Sequence, residues 1–208
     1  MTTLREQQKE ETHAAILEAA EACLRQFGLE SPSVASVMKR AGLTVGGFYA
    51  HFDSKEALMA TTLQSTLRHM WQKLLTGVRG ETPAARAHHV LRRYLSTKHR
   101  DALAEGCPLP STAAEIARAG EPYRGVLAAE TRAFVEALGP MIAASDTDQR
   151  QQALGTFCLM FGALSLSRAM KGTPLSNELL QAAVAFGSEA VQNVSPERAK
   201  ITGITQQV

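Results

Sequence analysis

Residues 33–58, SVASVMKRAGLTVGGFYAHFDSKEAL, constrain the fold of this chain more than any other stretch. Ser33 is placed to cap a helix, and Val34, Val37, Met38 and Ala41 follow at the spacing of one helical face. Gly42 stands where such a helix ends most easily, in a left-handed residue. Leu43 then fills the corner, and Thr44 offers a hydroxyl to cap the next helix. That helix is expected from Val45 to about His51, with Phe48 and Phe52 turned inward. It opens on Val45-Gly46-Gly47, almost without side chains. A glycine in a helix costs about 1 kcal/mol against alanine, so packing did not select this pair. Two bare positions let a backbone come very close to a flat or grooved surface.

Helix, glycine-containing turn and a helix with a stripped N-terminus form the layout of a helix-turn-helix. The second helix of such a unit enters the DNA major groove N-terminus first. The run AGLTVGGFYAHFDSKEAL resembles the signature of TetR-family transcriptional regulators. The shared features are a glycine turn, a Ser/Thr cap, a glycine, an aromatic-Tyr-x-His/Tyr-Phe run and Ser-Lys-Glu-x-Leu. The resemblance implies a DNA-binding head over residues 10–55, with a connector helix continuing to about residue 78. A ligand-binding and dimerisation body over 56–195 would follow. It also implies a homodimer on double-stranded operator DNA, an unidentified small-molecule effector and no cofactor.

The remaining pattern is helical throughout, so the fold class is all-α. Residues 1–9 are polar and without period, and are expected as an arm. From Glu10 to Phe27, Ile16, Leu17, Ala20, Cys23, Leu24 and Phe27 make a helical stripe that Gly28 stops. The connector carries Leu58, Met59, Thr62, Leu63, Thr66, Met70, Trp71 and Leu74 on its inner side, capped by Asp53 or Ser54. Further helices are expected at roughly 83–98, 110–119, 122–144, 147–171 and 176–193, with a frayed tail after Pro196.

Composition excludes several classes. The net charge of +2 on 208 residues points to no strongly charged partner. There is no signal-peptide pattern, and no apolar run approaches the ~18 residues of a membrane span. Three widely spaced cysteines, Cys23, Cys107 and Cys158, suit a reducing cytoplasm without disulfides. Cys23 and Cys158 fall on apolar helix faces and are expected in the core. An enzyme would need a nucleophile–base pair, a metal-ligand spacing or a phosphate loop, and none is present. His88, His89 and His99 lack a compact ligand spacing, so no metal site is expected.

Position by position, the resemblance turns Ser33, Lys39, Thr44, Val45, Gly46, Gly47, Tyr49, His51 and Lys55 towards DNA. Thr44 through Gly47 would face bases or flanking phosphates, and Val45 is suited to a thymine methyl. Tyr49, His51 and Lys55 would reach phosphate oxygens. Gly47 departs from the family, which more often has a side chain there, so readout would lean on Val45, Lys39 and DNA shape. Residues 1–57 carry six Lys/Arg against eight Asp/Glu, yet Ser31 to His51 holds two cations and no acid. A local positive face is enough for phosphate contact. A helical protein-interaction module without DNA binding is the alternative that the acidic head leaves open.

In the body, Leu154, Phe157, Phe161, Leu179, Ala183 and Phe186 mark the two most apolar helices, with Gly155 and Gly162 giving the first of them small surfaces. They serve either a four-helix interface between two chains, where the family dimerises, or an internal core. Met70, Trp71, Tyr94, Tyr123, Phe134 and Phe157 are candidate walls of an apolar effector pocket, and equally good core. Cys107 sits in the loop Ala104–Leu109, near His99 and Arg100. A loop thiol beside cations is a candidate electrophile sensor, and a Gly-Cys-hydrophobic segment here resembles a cysteine-sensing subset of the family. A small residue filling a tight corner is the other reading.

Overall fold

A computed structural model describes residues 3–143 and 148–192. Among the described residues the regular structure is helical: α1 (Leu4–Phe27), α2 (Val34–Arg40), a 3-10 helix (Val45–Ala50), α3 (Lys55–Leu75), α4 (Pro83–Tyr94), α5 (Thr97–Asp101), α6 (Leu109–Ala119), α7 (Tyr123–Ile142), α8 (Gln149–Ala169) and α9 (Pro174–Gln192). The chain divides into two compact units, Met1–Leu74 with Thr97–Phe134, and Leu75–Ser96 with Val135–Val208.

In the first unit, residues 4–9 belong to α1 and not to the expected arm, because Thr3 and Glu6 make a capping box. The Glu6 amide donates to the Thr3 hydroxyl at 3.3 Å, and the Thr3 amide donates to the Glu6 carboxylate at 2.7 Å. Two orphan donors of the first turn are thereby satisfied, which offsets a polar sequence with no stripe. α1 ends at Gly28, whose φ of 80° is the left-handed stop read from the sequence. Phe27, placed on the stripe, is exposed instead.

Ser33 caps α2 as expected, accepting from the Ser36 amide at 3.1 Å. Gly42 turns the chain at φ 71°. The helical head closes on one core of Ile16, Ala19, Ala20, Cys23, Val37, Met38, Phe48, Phe52 and Leu58. Burial raises the Cys23 thiol pKa, with Arg40 opposing weakly, which fits a packing role. Ser54 caps α3, accepting from the Ala57 amide at 3.0 Å. α3 stops at Leu75, short of the expected Val78.

Gly28 yields a stability prediction. A Cβ there would stand 2.3 Å from a carboxylate oxygen of Glu115, in a backbone conformation that L side chains rarely adopt. Gly28→Ala is expected to lower the unfolding free energy by about 1–3 kcal/mol from backbone strain alone. A thermal melt indistinguishable from the parent's would contradict this.

In the second unit, α4 and α8 both pack on α9. Gly187 permits the approach, since a Cβ there would lie 2.7 Å from both Leu91 and Leu159. The α8–α9 corner is pinned by two buried serines, Ser167 and Ser176, each hydroxyl donating to the other's backbone carbonyl at 2.7 Å. The helix expected over 83–98 ends instead at Tyr94, and α5 starts again at Thr97. The break falls at Leu95, whose φ of −90° and ψ of 57° leave the helical region. His88 meets the Ser188 hydroxyl at 3.0 Å, and His89 accepts from the Arg79 amide at 2.8 Å. The tail after Pro196 lies outside the described residues. No described helix is long and apolar enough to cross a membrane.

Candidate nucleic-acid interface

The glycine pair decides the local conformation. Val45–Ala50 is a 3-10 helix instead of the expected α-helix, and the Thr44 hydroxyl makes no cap hydrogen bond. Two glycines in six residues weaken the preference for an α-helix, and short 3-10 turns tolerate this. Phe48, fully buried, anchors the element; its ring lies 6.0 Å from that of Phe52.

Opposite Phe48 the surface is open. A Cβ built at Gly46 or Gly47 would meet nothing within 4 Å, so no described neighbour in the chain requires the bare backbone. Val45 is 47% exposed and Tyr49 is 70% exposed, unusual positions for apolar and aromatic side chains on a small head. Ser33, Lys39, Arg40 and Thr44 are exposed as well. Lys55 differs from its expected role: its ammonium donates to the Glu30 carbonyl at 2.6 Å, bracing the α1–α2 loop. A phosphate contact there would have to share or replace that bond.

His51 is half-buried, and its Nδ1 is buried with no hydrogen-bond partner among the described residues. Its ring lies 5.8 Å from that of His13, which stacks on Phe52 at 4.7 Å. Lys9, Glu10, His13, Ala14, Leu17, Ala50 and His51 line an open depression of about 470 Å³ on this side of the head. Desolvation, followed by the charges of His13 and Lys9, holds the His51 pKa below its ordinary 6.5. No sequence signal marks the His13 pairing, since the two rings are far apart along the chain.

The body residues fall in two groups. Trp71 and Phe134 meet in the first unit with ring centroids 4.3 Å apart. Tyr123 is buried in the same unit, and burial, then Glu56, raises its phenol pKa. Met70 is half-buried. Tyr94 and Phe157 belong to the second unit. Cys107 occupies a loop, as expected, but is 1% exposed. Its amide donates to His99 Nε2 at 2.8 Å. The thiol lacks the solvent exposure that a reactive cysteine requires.

On α8 and α9 the apolar faces are partly uncovered. Leu154, Leu166, Leu175 and Phe186 are exposed, Phe186 at 66%. Phe157, Phe161 and Leu179 are half-buried, and Ala183 is buried. Cys158, expected in the core, is exposed on α8. The apolar stripe of α8 is wider than its packing on α9 can cover.

A helical head whose turn and stripped third element match the required layout defines a helix-turn-helix protein. Residues 16–62 match the family model of bacterial regulatory proteins, tetR family. An uncharacterised HTH-type transcriptional regulator of Mycobacterium tuberculosis is 34% identical over 86 residues, 41% of this chain and 44% of the relative. Another, YvdT of Bacillus subtilis, is 32% identical over 66 residues, 32% of this chain and 34% of the relative. The chain thus spans less than half the length of these curated relatives, which are described as transcriptional regulators.

Solved structures extend the likeness to the whole fold. Escherichia coli NemR in its reduced form matches at a TM-score of 0.72 and 21% identity, covering 86% of this chain and 96% of that one. A TetR-family regulator from Cytophaga hutchinsonii matches at 0.71 and 23% identity, covering 86% and 94%.

Proposed function

We propose that the chain is a DNA-binding transcriptional repressor of the cytoplasm, acting as a homodimer and released from its operator by a small molecule or electrophile. The observation that carries this reading is the open face of Val45–Ala50. Two glycines with nothing near them, an exposed Val45 and an exposed Tyr49 belong to the same helical head as the exposed cations Lys39 and Arg40. Gly46 and Gly47 let the backbone close on the duplex, Val45 and Thr44 meet the bases or adjacent phosphates, and Tyr49 and His51 bond to phosphate. Ser33 and Lys39 approach from α2. Lys55 contributes from the start of α3 by sharing its bond to Glu30.

The effector site is assigned to Met70, Trp71, Tyr123 and Phe134 of the first unit. Tyr94, buried within the second unit, is assigned to the core there. Thr66, fully buried on α3 with a hydroxyl that meets no partner among the described residues, is a polar anchor for such a ligand. Release follows if the effector binds better to a state in which α3 has shifted the heads, since only differential affinity moves the equilibrium. Cys107 is the electrophile-sensing candidate, and its burial requires the loop to open before it reacts. The dimer forms through Leu154, Phe157, Phe161, Leu179, Ala183 and Phe186.

Tyr49→Phe tests the interface with minimal disturbance, because it removes one exposed hydroxyl. Hydrogen bonds to charged groups contribute about 1.5–3 kcal/mol, so affinity for the chain's own upstream DNA should fall roughly tenfold or more. Unchanged affinity in a gel-shift titration would remove Tyr49 from the interface.

A pH dependence follows from His51. In the free protein its pKa lies below 6.5, and a phosphate partner raises it, so the complex holds the proton more tightly. Affinity should rise as pH falls through the complex's pKa and level off below the free protein's. The folding sign is opposite: the unfolded chain binds this proton more readily, so head stability falls as pH drops below about 6.5. His51→Gln should flatten the affinity profile; a profile with the same slope in that variant would assign the titration elsewhere, with His13→Gln as the next variant.

A further inference from the structure

The segment Thr97–Phe134 belongs to the same compact unit as the head, and two polar ties bind it to the corner between α1 and α2. Glu115, in the middle of α6, accepts a hydrogen bond from the Leu29 amide at 2.7 Å. Arg25, in the last turn of α1, donates to the Gly106 carbonyl and is steadied by Glu21 at 2.5 Å. Between them stands Gly28, where the Glu115 carboxylate leaves no room for a Cβ. The next residue after Gly106 is Cys107, whose amide is held by His99.

These contacts are directional. Apolar faces slide on one another, but a carboxylate seated on a backbone amide and a guanidinium seated on a backbone carbonyl break or move together. Leu29 is buried, so its amide cannot turn to water without displacing the corner that leads into α2. Any shift of α6 or of the Cys107 loop therefore loads the end of α1 directly, without passing through α3.

We propose that Arg25 and Glu115 are positioning residues that couple the α5–α6 segment to the reading head, so that the two change arrangement together. The inference rests on the DNA-binding reading above and adds a second route of regulation to it. Coupling is reciprocal: what the segment does to DNA affinity, DNA must do to the segment.

The test is hydrogen exchange read by mass spectrometry on the full chain, with and without a duplex of its own upstream DNA, after anisotropy has established binding. In the parent protein, DNA should slow exchange across residues 103–119 by on the order of fivefold, the lower end of allosteric coupling. Glu115→Met, which removes the acceptor, should keep protection over residues 34–51 and lose it over 103–119. Glu115→Gln, which retains an acceptor, should restore it. A purely structural role would not transmit DNA-induced protection, and equal transmission in parent and Glu115→Met would overturn the proposal. No DNA binding by the parent would instead sink the functional reading. Coupling is then judged in the free protein, where Glu115→Met must speed exchange across residues 34–43, to which Glu115 is not hydrogen-bonded. Exchange there at the parent's rate would overturn it independently.

Discussion

Phe48→Ala is expected to unfold the reading head. The side chain is fully buried in a core with Ile16, Val37, Met38, Phe52 and Leu58, and it is the buried residue by which the 3-10 element is inserted there. Removing a buried phenylalanine costs about 3–5 kcal/mol, transfer and cavity terms together. A head of this size has little more stability than that to lose. The glycines beside it add nothing to the helix, so no local preference holds Val45–Ala50 in place once the anchor is gone. Thermal unfolding followed by circular dichroism should show an early transition for the head, with DNA affinity lost. The pairing of α8 with α9 should persist, because its contacts are internal to the second unit. Parent-like melting would mean that the element is held by something other than Phe48.

Phe186→Glu is expected to separate the dimer. Phe186 is a highly exposed aromatic side chain on α9, and Leu154, Leu166 and Leu175 leave further apolar surface open on the same helix pair. Exposed apolar surface of this kind marks an interaction site. Gly155 and Gly162 have free space beyond their Cβ positions, which leaves room for a second pair of helices to approach closely. A carboxylate buried in that interface without a partner would cost at least what loss of a hot-spot aromatic costs, about 2–4 kcal/mol, or roughly 30- to 1,000-fold in dissociation constant. Analytical ultracentrifugation should find monomers at concentrations where the parent is dimeric. DNA affinity should fall with it, since each head alone holds one half-site. A variant that remains a dimer would place the interface elsewhere.

The parts legible in the sequence are those set by local chemistry. Ser33, Gly28, Gly42 and Ser54 act through their own backbones and hydroxyls, so each helix boundary they control could be read directly. The Thr3–Glu6 box is equally local, but the polar residues of the first turns of α1 mask it. Stripe periodicity placed Phe48 and Phe52 in the core but overestimated Phe27 and Cys158, because period shows which side is apolar and not how much of it a neighbour covers. Long-range facts had no sequence signal. His13 beside His51, Lys55 on the Glu30 carbonyl and Glu115 on the Leu29 amide depend on how distant elements pack. The burial of Cys107 is of the same kind, and it changes an apparently open loop thiol into a guarded one.

Fluorescence anisotropy of the purified protein on its own upstream DNA and on a scrambled duplex, across a salt series, tests the central claim most directly. If Lys39, Arg40 and Lys55 of two heads each neutralise one phosphate, the logarithm of affinity should fall against the logarithm of salt with a slope of about −5. The account predicts that slope together with clear preference for the upstream sequence. Weak binding that ignores both sequence and salt would contradict it.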